Sequence, residues 1–392
     1  MAKAVYVGVG SKARKMKKAY IGIGGKARKV KKMYIGVGGK ARLCYSAEAA
    51  KFGTATPLSK YRTLLAGATV GGYALFGGGG YVKGEAIMDA YNASLTRTAA
   101  ASLSVARQGL TAITLGNHAL FVGGQSEFTP FGTVDVYDAS LTRTTATELS
   151  IARYDSAAAV VDSYALFAGG RRNNGLFTMS QSAVDAYNTS LTRTTATPLP
   201  SNAYACAGGT VGGYAVFSGG SDINSDSTLV ETIGGMEMVR AYDSSLTSSQ
   251  AAPLSGPRAV HSAATIGNHL LLAGGYNSTT GKYLSTVESY DASLTRSTAV
   301  ELSSAKNGLA SATVGEYAMF AGGYKGNSDA AYVATVDAYN TALTKTTMPD
   351  LSVGRHGLAS AVIGDYALFA GGISKISSTI DKYQDVVDVY SA

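Results

Sequence analysis

Residues 351–390 read LSVGRHGLASAVIGDYALFAGGISKISSTIDKYQDVVDVY. After an initial leucine come an arginine, an apolar run, a short turn, a second apolar run ending on two glycines, a polar stretch and a closing VDVY. Short runs rich in β-branched and aromatic residues, separated by glycine and polar turns, read as antiparallel strands. We label them A (as in Gly357–Ile363), B (Tyr366–Ala370), C (as in Val336–Tyr339) and D (as in Thr344–Leu351). The pattern occurs seven times, with double glycines beginning at Gly78, Gly123, Gly169, Gly219, Gly274, Gly322 and Gly371, at spacings of 45, 46, 50, 55, 48 and 49 residues. That period predicts four-stranded propeller blades in an all-β chain.

The variation in the period sits in one place. From the leucine that ends one repeat to the next double glycine the distance is 20 residues, as from Leu58 to Gly78 and from Leu351 to Gly371. From the tyrosine of strand C to the next such leucine it is 12, as from Tyr137 to Leu149. Only the connection from B to C is elastic, running from 12 residues (Gly79 to Tyr91) to 22 (Gly220 to Tyr242). In an antiparallel blade the loop leaving B lies on the same face as the loop entering A, so every insertion decorates one face. Insertions gathered on one face mark a binding surface.

Strands A, B and C occur seven times, but D follows C only six times. The segment Gly53–Leu58, GTATPL, matches the D strand TTATPL at Thr194–Leu199 and precedes the first A strand. It is expected to pair with the last C strand, Val386–Tyr390, and close the ring. Closure leaves no open sheet edge between the first and last blades.

YALFAGG followed by VDAYN, a polar turn and a D strand resembles the kelch repeat of β-propellers over residues 53–392. The double glycine, the Tyr-Asp or Tyr-Asn after strand C and the arginine before strand A correspond to that repeat. Its tryptophan does not, because Thr144 and its counterparts occupy the position. The resemblance implies a seven-bladed propeller and a binding habit, since one fold hosts many functions.

Composition separates a second module. Residues 1–45 hold 13 of the 34 Lys and Arg and no acid, leaving 21 Lys and Arg against 26 Asp and Glu elsewhere. The body is mildly acidic and makes a poor nucleic-acid partner. The two cysteines, Cys44 and Cys206, form no disulfide framework and suit a reducing compartment. No signal-peptide h-region or membrane-length apolar run is evident.

Within residues 1–46 a 14-residue repeat places Tyr6, Tyr20 and Tyr34 in YVGVGSKARKMKK, YIGIGGKARKVKK and YIGVGGKAR, with Arg14, Arg28 and Arg42 at matched positions. Gly10-Ser11, Gly24-Gly25 and Gly38-Gly39 fit two-residue hairpin turns, predicting a continuous meander that pairs Tyr20 with Lys29 and Tyr34 with Lys15. So few glycine-rich strands bury little, so the module is expected to pair with copies of itself or with another protein. The tandem resembles the units that open tail-associated virion proteins of phages and prophages in Gram-positive bacteria. That resemblance implies a virion location, assembly in the host cytoplasm and contacts with other virion proteins through residues 1–46.

No catalytic or metal constellation stands out. His118, His261, His269 and His356 are isolated, and Asp135, Asp185, Asp337 and Asp388 recur at one strand position, which argues for structure rather than glycan cleavage. Asp222, Asn224 and Asp226 begin like a calcium loop but lack its glycine and final glutamate. Asn92 and Asn188 lie in sequons but occupy turn-capping positions. No enzyme, cofactor or metal is expected.

Two sets of candidate binding residues remain. Arg62, Arg107, Arg153, Arg258, Lys306 and Arg355 recur before strand A, with Ala203 breaking the series. They either pair locally or form an electropositive ring for an acidic ligand. The elastic loops carry Tyr81, Phe128, Phe131, Phe177, Tyr276, Tyr283, Tyr324, Tyr332 and Tyr383 among short polar residues. Rigid aromatics in such a setting suit recognition of a glycan or protein on a host surface. The alternative is an intracellular interaction scaffold whose basic arm meets nucleic acid or membrane.

Overall fold

A computed structural model describes residues 6–9, 12–15, 20–23, 26–29, 32–37, 40–46, 50–80, 82–173, 178–223, 232–326, 331–377 and 380–391. The chain divides into two units, residues 1–50 with Ala392, and residues 51–391. The described residues contain strands and no helix.

The larger unit is a seven-bladed β-propeller. Seven four-stranded antiparallel sheets follow one another, each in the order A-B-C-D. In the second blade these are Thr111–Leu115, His118–Val122, Val134–Tyr137 and Arg143–Ala146. In the last they are Ala359–Ile363, Tyr366–Ala370 and Val387–Ser391, joined by Ala50–Thr54 as the D strand. The closure expected from the repeat count therefore forms, but its ladder begins at Ala50, before Gly53. Beyond the strand, the Ala55 amide still donates to the Val387 carbonyl and the Leu58 amide to that of Asp385. D strands are shorter than their pattern, as Lys345–Met348 is within Thr344–Leu351, with the end of the segment still bonded to its own blade, as from the Leu351 amide to the Ala334 carbonyl.

The core lies between blades, with no central mass. The first–last junction packs Leu58, Leu65, Phe76 and Tyr91 against Ala361, Leu368 and Val389, and five further junctions repeat the arrangement. In six blades the Phe of strand B meets the Tyr of strand C edge to face, as Phe121 does Tyr137 at 5.6 Å. Each C-strand tyrosine is fully buried and its hydroxyl donates to a carbonyl on the neighbouring D segment. These bonds measure 2.7–2.9 Å and run from Tyr91 to Thr56 through Tyr390 to Pro349. Burial pushes the phenols up, Tyr242 to about 12, so they stay donors over the whole range in which the protein is handled.

Two further hydrogen-bond circuits run around the propeller. The second glycine of every pair donates its amide to the residue before strand A of the next blade, from Gly79 to Arg107 round to Gly372 to Arg62, at 2.8–3.0 Å. The first glycine approaches the same carbonyl: a Cβ on Gly371 would lie 2.6 Å from the Arg62 oxygen. The double glycine is thus demanded by contact with the neighbour as well as by its positive φ. Nearer the axis, Leu64, Gly109, Asp155, Ala205, Val260, Gly308 and Gly357 all adopt φ between 54° and 64°. Each amide donates to the carbonyl of its counterpart one blade back, Leu64 to Gly357 completing the circle, at 2.9–3.4 Å.

The smaller unit differs from the expected meander. It forms three separate hairpins, Tyr6–Val9 with Lys12–Lys15, Tyr20–Ile23 with Lys26–Lys29, and Lys32–Val37 with Lys40–Ser46. Tyr20 pairs with Lys29 as expected, but Lys15 pairs with Tyr6 and Tyr34 with Leu43, not with each other. A bulge between Met33 and Tyr34 shifts the third register. Arg14, Arg28 and Arg42 stand opposite Val7, Ile21 and Ile35. The expected turn dipeptides lie outside the described residues.

Candidate binding face

The cations before strand A do not form an exposed ring. Arg62, Arg107, Arg153, Arg258, Lys306 and Arg355 are buried, and each faces a buried carboxylate on strand C of its own blade. Arg107 reaches Asp135 at 2.8 Å, Arg153 reaches Asp185 at 2.8 Å, and Arg258 reaches Glu288 at 2.6 Å. Arg62, Arg107, Arg153 and Arg355 also donate to the carbonyl of the strand-B phenylalanine. The carboxylate takes more bonds from a serine amide just after the repeat leucine, as from Ser150 to Asp185, and from a second cation on strand D, as from Arg193. Desolvation lowers the guanidinium pKa values, opposed by the acids. A charge held this way is unavailable to a ligand, and removing one partner alone would leave the other uncompensated.

The fourth blade confirms the pairing from its exception. Ala203 replaces the cation, Arg240 stands where the acid would be, Pro200 has no amide to offer and Ser248 replaces the second cation. The whole set is absent together. That joint loss was readable in the sequence and identifies the partners; the expectation of a ligand-binding ring missed it by treating the cations alone.

On the face shared by B–C loops and the segments entering strand A, the two are laced together. Gln108 bridges Gln125, Tyr154 bridges Arg171, Tyr204 bridges Ser221, Ala259 bridges Tyr276, Asn307 bridges Tyr324 and His356 bridges Ile373. This fixes the first residue of six of the loops beside the segment entering strand A. The loops then rise as small hairpins such as Gln125–Ser126 with Thr129–Pro130 and Ile373–Ser377 with Ile380–Tyr383.

The structure gathers some of the predicted aromatics and not others. Tyr276, Tyr283, Tyr324 and Tyr332 form a continuous ladder across the fifth and sixth blades, with ring centroids 5.1–5.7 Å apart. His356 of the seventh joins it, stacked 5.2 Å from Tyr332, whose hydroxyl donates to Asp381 at 3.0 Å. Tyr383 stacks on Tyr61 at 6.4 Å; neither His356 nor Tyr61 stood out as an aromatic partner in the sequence, because only the fold brings them into reach. Phe131 instead pins its loop through backbone bonds to Gly124 and Arg153. Phe128 is 70% exposed at a two-residue turn where it and Glu127 both have positive φ, a strained setting for non-glycine residues, and its carbonyl accepts from Asn173 Nδ2 at 2.8 Å. Tyr81 and Phe177 lie outside the described residues.

Near the axis of the same face opens a cavity of about 560 Å³ lined by Leu64, Asp155, Arg171, Tyr204, Val260 and His261, among others. His261 is buried and bonded through Nε2 to Ser218 at 2.9 Å; burial and the nearby Arg258 push its pKa down to about 3. His269 bonds Ser289. Asn92 and Asn188 cap their turns, each accepting from two backbone amides. Asn224 and Asp226 lie outside the described residues. Among the described residues no three acids, histidines or cysteines come together as a metal site, and no helix is long and apolar enough to cross a membrane.

Residues 257–293 match the Kelch motif. The match spans strands A, B and C of the fifth blade with Arg258, Gly274 and Glu288. As one of seven such blades, it supports a kelch-repeat propeller, an architecture suited to protein interaction. Comparison with curated proteins gives no match.

Proposed function

We propose that the chain is a phage or prophage virion component that recognises a glycan or protein on the host surface, with the B–C face of its propeller as the contact and residues 1–46 as its attachment to other virion proteins or to copies of itself. The observation that carries the reading is the Tyr276–Tyr283–Tyr324–Tyr332–His356 ladder. It spans three adjacent blades on the only face whose loops vary in length. Rigid aromatics of this kind supply contact area at low entropic cost, and the buried cations are excluded from that work. The separate basic hairpin repeats suit assembly, since two-stranded sheets stabilise poorly without partners.

Binding of the purified chain to host cells tests the proposal. Tyr324→Ala and Tyr332→Ala should each weaken it by about tenfold or more, as loss of a central aromatic contact does. Undiminished binding by both variants, or no binding by the parent, would refute it.

A further inference from the structure

The axial cavity breaks the sevenfold symmetry in a chemically specific way. Directly after the positive-φ circle, blades one, two, six and seven place Leu65, Leu110, Leu309 and Leu358, whereas blades three, four and five place Ser156, Cys206 and His261. One wall is apolar and the other polar. The polar wall carries the ion pair of Asp155 and Arg171, and Arg171 is held between the rings of Tyr154 and Tyr204 at 4.8 and 4.9 Å.

The geometry of that pair selects its ligand. Arg171 Nε and Nη2 both engage one oxygen, Asp155 Oδ2, at 2.9 and 2.7 Å. Among the described residues, Nη1 and Oδ1 keep their hydrogen-bonding capacity, and Oδ1 lies beside Gly109 of the preceding blade, 3.0 Å from where a Cβ there would stand. Both belong to an already neutral pair. An anion would have to displace Asp155 and a cation Arg171, whereas adjacent hydroxyls can each donate and accept. Elsewhere around the cavity, Leu64 and Val260 remain 43% and 39% exposed while holding positive φ, where glycine serves in three blades. Bulky residues kept exposed in a strained backbone point to contact with something apolar.

We infer that this cavity binds a neutral saccharide unit, its adjacent hydroxyls on Asp155 and Arg171 and the C–H face of its ring on Leu64 and Val260. The volume falls in the range of small-molecule sites. The inference rests on the recognition reading above and names its ligand.

Titration of the full chain with glucose, galactose, mannose and N-acetylglucosamine, beside glucuronic acid, glucosamine and sialic acid, tests it. At least one neutral sugar should bind, and its charged analogues about tenfold more weakly or worse. Asp155→Asn, which keeps a residue tolerant of positive φ, should weaken the neutral sugar by about tenfold or more, the worth of a hydrogen bond to a charged group, while circular dichroism shows the sheet structure retained. Failure of all four neutral sugars, preference for a charged one, or full binding by Asp155→Asn would overturn the assignment. Host-cell binding that survives Asp155→Asn but is lost in Tyr324→Ala would overturn the cavity assignment and leave surface recognition standing.

Discussion

A single histidine distinguishes one blade junction from the rest. His261 occupies the position of Leu65, Leu110, Leu309 and Leu358, and its partner Ser218 that of Ala168, Ala273, Ala321 and Ala370. The folded pKa lies near 3, below the unfolded value of about 6.5. Between those values the unfolded chain binds the extra proton, so the stabilisation is present above pH 6.5 and declines as pH falls towards 3. The slope approaches about 1.4 kcal/mol per pH unit. Replacing the pair by the residues of the sister blades, His261→Leu with Ser218→Ala, should flatten that decline. Denaturant midpoints at pH 7 and pH 4.5 measure it, and parallel losses in parent and variant would show that His261 does not titrate on unfolding.

At the scale of the turn, two glycines of the last blade separate backbone strain from collision. Gly364 has φ of 55° and open space where a Cβ would go, whereas Gly371 has φ of 67° and the Arg62 carbonyl there. Gly364→Ala should cost about 1–2 kcal/mol, the left-handed penalty alone. Gly371→Ala should cost more, because the blade must also move away from its neighbour, and equal losses in chemical denaturation would refute that contact. The repeat of turns and strands made the blades readable, and the elastic B–C connection marked the variable face. The aromatic ladder was not readable, since Tyr324 and His356 are separated in sequence and meet only through the lacing of loops to strand-A segments. The cations misled because burial is invisible in a single repeat; the missing Pro200 amide, Ala203 and Arg240 held the correction.

At the largest scale the propeller unit is a ring whose last sheet is completed from the other end of the propeller. Removing residues 1–46 should leave the larger unit folded, whereas removing 1–58 deletes the Ala50–Thr54 strand, the Ala55 and Leu58 bonds and the Thr56 carbonyl that Tyr91 uses. Thermal unfolding should separate the two truncations by several degrees or more, and coincident melting would contradict closure by this segment. The same arrangement sets a timetable. On the ribosome the strand ending at Thr54 emerges long before its partner beginning at Val387. At elongation rates of about 5–20 residues per second it waits on the order of 15–70 seconds. Throughout that interval the nascent chain carries an orphan strand and an unfinished circle, so a polysome crowded with siblings offers each strand a neighbour's blade before its own exists. Fidelity of biogenesis thus depends on how soon the strand at Val387 follows the one it must meet.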